Sequence, residues 1–86
     1  MELTEELKQF LKQELGYTDE ELENVRVYTR EEWEDMMWGL YVEVYGDSIT
    51  RLLWYVDWDL LLEDESLSGN VSVLEYQGKE IIVEEA

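Results

Sequence analysis

Carboxylates are almost the only side chains in this 86-residue chain that could do chemistry: it has 17 Glu and 6 Asp, and neither His nor Cys. Without His or Cys, the Ser/His/Asp and Cys/His nucleophile arrangements, thiolate metal sites and disulfides are all excluded. Paired carboxylates remain as an acid–base possibility. That chemistry needs two acids whose surroundings drive their pKa values apart. Among 23 acids, spacing singles out no such pair. Asp57-Trp58-Asp59 followed by Glu63, Asp64 and Glu65 superficially matches a calcium loop. It lacks the central glycine, however, and leucines fill positions 60–62, where oxygen ligands are needed. The five glycines stand singly at 16, 39, 46, 69 and 78, so no phosphate-cradling loop is present. Neither an enzyme nor a cofactor is expected.

Binding chemistry is better represented. The segment Trp54–Glu65, WYVDWDLLLEDE, holds three aromatics, four aliphatics and five carboxylates, with no cation among them. It is adhesive and strongly negative at once. The whole chain has a net charge of −17, shared as −8 over residues 1–38 and −9 over 39–86, so the charge is not confined to a tail. Such a surface repels nucleic acid and anionic membranes and attracts a basic protein. Salt-adapted acidity is a poor fit, because Glu outnumbers Asp and there is a single alanine. Hydrophobic residues make up 45%, enough for a folded core. The start, MELTEELKQF, lacks the features of a signal peptide, and no apolar run reaches the ~20 residues of a membrane span. A cytoplasmic single domain spanning 1–86 is expected.

The elements that position these groups follow from periodicity. Leu3, Leu7, Phe10, Leu11 and Leu15 have helical spacing, with Gly16 as the stop. Thr18 with Glu21, and Thr29 with Glu32, read as capping boxes, with Tyr17/Leu22 and Tyr28/Trp33 as hydrophobic staples. The first box starts a turn or two before a short strand at Val25–Tyr28. The second starts a helix expected to bury Trp33, Met36 and Met37 and to stop at Gly39. Leu40, Val42 and Val44 then alternate with Tyr41, Glu43 and Tyr45, which predicts a strand. Gly46-Asp47 predicts a turn into a strand over 49–57. Ile49, Leu52, Leu53, Val56 and Leu60 also fit a helix capped by Asp47 or Ser48, and the aromatic and β-branched content favours the strand. Residues 63–70 read as a loop, and Val71–Tyr76 with Lys79–Val83 as a hairpin about Gln77-Gly78. The sum is an α+β fold, with N-terminal helices packed on one face of a four- to five-stranded antiparallel sheet.

On that frame the candidate partner-binding residues are Glu31, Glu32, Glu34 and Asp35 on the second main helix. To them are added Tyr41, Glu43 and Tyr45 as an aromatic–acid stripe, and Asp57, Trp58, Asp59, Glu63, Asp64 and Glu65 from the acidic segment. Trp and Tyr are enriched where protein surfaces meet. Trp33 is expected in the core.

In size, charge and element order the chain resembles the small acidic inhibitors of uracil-DNA glycosylase made by phages and some bacteria. ELTEELKQFLKQEL corresponds to a first helix, VRVYT to a first strand and REEWEDMM to a second main helix. The resemblance implies a DNA mimic that occupies an enzyme's DNA groove. That family's Glu-Ser-Ile-like contact sequence has Val27-Tyr28-Thr29 in its place here, so no contact residue is carried over. Its apolar pocket could find counterparts in Met36 and Met37. The same outline is similar to acidic anti-CRISPR and antirestriction proteins. An immunity protein or antitoxin holding one basic nuclease toxin is the alternative, and an inert acidic domain the third reading. The expected partner is thus a basic DNA-binding enzyme, with no direct nucleic-acid or membrane contact and a monomer or small homo-oligomer.

Overall fold

A computed structural model describes residues 1–85, in the order α1 (Glu5–Leu15), α2 (Asp19–Leu22), β1 (Val25–Thr29), α3 (Arg30–Tyr45), a 3-10 turn (Asp47–Ile49), α4 (Thr50–Leu53), α5 (Trp58–Leu67), β2 (Val71–Tyr76) and β3 (Lys79–Glu85). The N-terminal helix forms as its spacing requires. The Thr4 hydroxyl accepts from the Leu7 N–H, Glu5 and Glu6 sit in the first turn, and Gly16 closes the helix at φ 69°. Both capping boxes are present, Thr18 with Glu21 and Thr29 with Glu32. Each staple pair shares a cluster, Tyr17 with Leu22 and Tyr28 with Trp33.

The sheet has three antiparallel strands in the order β1-β3-β2. Gln77 (φ 52°) and Gly78 (φ 77°) both take positive φ, as a two-residue hairpin turn between Tyr76 and Lys79 demands. Central β3 carries Ile81, Ile82 and Val83 in succession, each at most 1% exposed. Successive strand residues point to opposite faces, so both faces of this strand must be covered. On one face Ile81 and Val83 pack with Val25, Val27, Leu22 and the α1 leucines Leu7 and Leu11. On the other Ile82 packs with Val71, Trp33 from α3 and Leu62 from α5. Burying each of these aliphatic side chains stabilises the fold by roughly 1.5–3 kcal/mol.

Several expectations are corrected here. Helices cover both faces of the sheet rather than one. Among the described residues there are three strands, not four or five. The two missing strands, 40–45 and 49–57, do not form: α3 runs through Gly39 to Tyr45, residues 47–53 form the 3-10 turn and α4, and 54–57 are a turn and irregular backbone leading to α5. The physical reason lies in spacing. Trp33, Met37, Leu40 and Val44 recur at i, i+4, i+7 and i+11, one face of a continuous helix. A helical glycine costs only about 1 kcal/mol relative to alanine, too little to stop α3. Gly46 ends it instead, at φ 84°, with its N–H donating to the Val42 carbonyl. The supposed loop at 63–70 is also largely helix, because Asp57 caps α5 by accepting from the Leu60 N–H at 3.0 Å, and α5 continues to Leu67. Neither Asp47 nor Ser48 supplies a side-chain cap.

Candidate functional site

Two neighbouring clefts beside α3 hold five of the 23 carboxylates and three of the four tryptophans. The first is organised by Arg30. Its Nε donates to Glu34 one helical turn on, at 3.1 Å. Nη2 donates to Asp59 of α5 at 2.6 Å, and Nη1 lies 3.5 Å from Glu80 of β3. Glu63 follows Asp59 by four residues and so lies on the same flank of α5. Glu63, Asp59, Arg30, Leu62, Val73 and Glu80 border a groove of about 320 Å³. Glu75 stands directly across the ladder from Glu80, a like-charge pairing that works against the sheet. Partial burial pulls the Arg30 pKa down, and the hydrogen bond and charge of Asp59, then Glu34 and Glu80, more than reverse it, so the net shift is upward. Its guanidinium carbon also sits 5.9 Å from the Trp33 ring centroid. One cation therefore ties α3, α5 and β3 together beneath a surface that remains net negative.

The second cleft, of about 360 Å³, is lined by Glu34, Asp35, Trp38, Trp54, Val56 and Trp58, with Leu53 at its floor. Trp38 and Trp54 meet edge-to-face at 5.5 Å, and Trp54 is 79% exposed. Carboxylates of α3 thus lie beside indoles from α3, from the turn after α4 and from the start of α5. Glu34 belongs to this cleft and to the Arg30 cluster, so the two surfaces join.

The sequence-predicted residues divide between these clefts, local structural roles and open surface. Glu34, Asp35 and Trp58 line the aromatic cleft, while Asp59 and Glu63 line the Arg30 groove. Trp58 is half-buried and packs edge-on against Trp33 at 6.1 Å. Glu32 closes the α3 capping box and accepts from the Met1 ammonium at 2.8 Å. That ammonium, then the Thr29 N–H, holds its carboxyl at about 2. Asp57 is occupied as the α5 cap. Glu31, Glu43 and Asp64 are exposed. Glu65 accepts from the Asn70 amide at 2.8 Å. Burial first, and then the Glu65 charge, raise the phenol pKa of Tyr41. Tyr41 and Tyr45 stack at 6.2 Å along α3, and helical geometry turns Glu43 away from them, so the expected Tyr–Glu–Tyr stripe does not exist.

Sequence reasoning missed Arg30, Trp38 and Trp54 as members of the site. The i, i+4 spacing of Arg30 and Glu34 was a usable signal. The Trp38–Trp54 contact had none, because it joins two helices across a turn. Among the described residues no group of three acids is arranged to hold a metal ion, and no helix is long and apolar enough to cross a membrane. No protein-family model, curated protein or solved structure matches this chain.

Proposed function

We propose that this protein is a non-enzymatic acidic inhibitor that occupies the basic DNA-binding cleft of a DNA-processing or defence enzyme. The observation that carries the reading is the cleft in which Glu34 and Asp35 stand beside Trp38, Trp54 and Trp58. A duplex offers negative charge at regular intervals with flat apolar groups between. Carboxylates held on capped helices, interleaved with an exposed indole, offer a cationic groove the same two contacts. The net charge of −17 steers encounter with such a groove and speeds association at low salt. Uracil-DNA glycosylase is the first target to try; CRISPR nucleases and restriction enzymes follow.

The test is inhibition of a panel of purified DNA-binding enzymes, with duplex DNA as competitor. The variant is chosen from acids that make no structural bond: Glu31, Asp35, Glu63 and Asp64 changed together to lysine, combined with Trp54→Ala. The expected result is tight binding by the native chain, displacement by DNA, steep weakening with salt, and loss of all three in the variant. Unchanged inhibition by the variant would remove this surface from the mechanism. Binding to one nuclease that DNA cannot displace would instead identify an immunity protein.

A further inference from the structure

We propose that the helical arm formed by the end of α3, the 3-10 turn and α4 is a self-association surface that seats a second copy of this chain. Three observations lead there. The α3 stripe that packs Trp33 and Met37 on the sheet continues over Leu40 and Val44, which are 45% and 62% exposed. Beside it, Tyr41, Tyr45, Ile49, Leu52, Leu53 and Leu61 enclose a groove of about 260 Å³ with no charged residue in its lining. Tyr45 and Leu52 on its rim are themselves 63% and 61% exposed. Val44 lies three residues from Tyr41 and four from Leu40, so stripe and groove form one continuous apolar face.

The charge distribution selects the occupant. Residues 39–56 contain two acids, Glu43 and Asp47, and one base, Arg51, so sixteen of the seventeen net negative charges lie elsewhere. A cationic partner is drawn to the acidic body and meets only the charge of Glu65, beside Tyr41, at the groove's edge. A near-neutral, apolar surface fits the arm, and a second arm is such a surface. Arg51 has no ion pair among the described residues. Under a twofold axis it and the partner's carboxylates are offered reciprocally. Sixteen of the seventeen net charges sit off the arm, so contact through the arms brings near-neutral surfaces together and leaves the acidic bodies flanking them. At physiological ionic strength their repulsion is screened beyond about 8 Å. Leu40, Val44, Tyr45 and Leu52, 45%, 62%, 63% and 61% exposed, supply the accessible area of this face, and a stable complex buries roughly 600–1,000 Å² per partner.

Sedimentation velocity on the native chain over a wide concentration range, at physiological and at raised salt, tests this. The expected result is a species of twice the 10.3 kDa monomer mass, tightening as salt rises because repulsion between the bodies is screened. That trend is opposite to the one expected for a cationic partner, so this inference can fail while the proposed function stands. Val44→Glu and Leu52→Glu, each made alone, should raise the dimer Kd at least about tenfold by burying an unpaired charge. Far-UV circular dichroism checks that each exposed-site variant remains folded. A monomer at every concentration in both salts overturns the proposal, as does a dimer that neither variant weakens.

Discussion

Replacing Arg30 with methionine tests whether one cation joins three elements of the fold. The substitution keeps most of the side chain's length and its packing on Trp33, and it removes the bonds to Glu34, Asp59 and Glu80. The Arg30 side chain is 28% exposed, while that of Asp59 is 87% exposed, so solvent screening discounts the strongest bond. A charge-assisted hydrogen bond so discounted contributes about 1 kcal/mol. The i, i+4 pair with Glu34 adds about 0.4 kcal/mol, and the cation–π attraction to Trp33, which methionine cannot make even while packing on the ring, about 0.5 kcal/mol. The sum, about 2 kcal/mol, corresponds to a fall in Tm of roughly 8–16 °C for a domain this small. The assay is thermal unfolding followed by circular dichroism, together with a double-mutant cycle pairing Arg30→Met with Asp59→Asn. The cycle should return a coupling near 1 kcal/mol. A Tm within about 3 °C of native, or additive single mutants, would refute the idea that this guanidinium holds α5 against α3. The acids around the groove would then be mobile surface charges rather than fixed ones.

Two further outcomes follow from local geometry. Gly39→Ala should stabilise the fold by roughly 0.5–1 kcal/mol, because Gly39 lies inside α3 and the added methyl would meet nothing within 4 Å; destabilisation on urea unfolding would restore the helix stop there. Glu32, lowered from 4.5 to about 2 in the folded state, contributes stability that is present above about 4.5 and lost as pH falls through about 2. A carboxyl-detected NMR titration should give its midpoint near 2, and acetylating the Met1 amine should move that midpoint upward. A midpoint at the ordinary carboxylate value would dissolve the Met1–Glu32 pair.

Much of the frame is local chemistry and was legible in the residues alone. Thr18 and Thr29 stand where a hydroxyl must accept from an N–H three residues on, and each does. Gln77-Gly78 specifies the hairpin because both positions need positive φ. The acidity, and the absence of any nucleophile–base pair built on His or Cys, also follow from composition.

Between Gly39 and Asp57, local signals balance. Val, Ile, Tyr and Trp fit a strand, the i, i+4 spacing fits a helix, and short apolar runs support both. The outcome depends on what lies alongside. In this fold both faces of β3 are already covered, by α1 and α2 on one side and α3 and α5 on the other, and its two edges are taken by β1 and β2. Through Leu53 the segment satisfies its backbone within helical turns, and it packs Leu53 and Trp54 against α3. The candidate site follows the same division. Carboxylate and indole types were written in the chain, but which of them meet was decided by long-range contacts: Arg30 reaching Asp59 and Glu80, and Trp38 reaching Trp54. Residue type determines what a side chain can bind. Only packing of distant segments determines which side chains share a surface, because that choice depends on mutual burial rather than on neighbours in sequence.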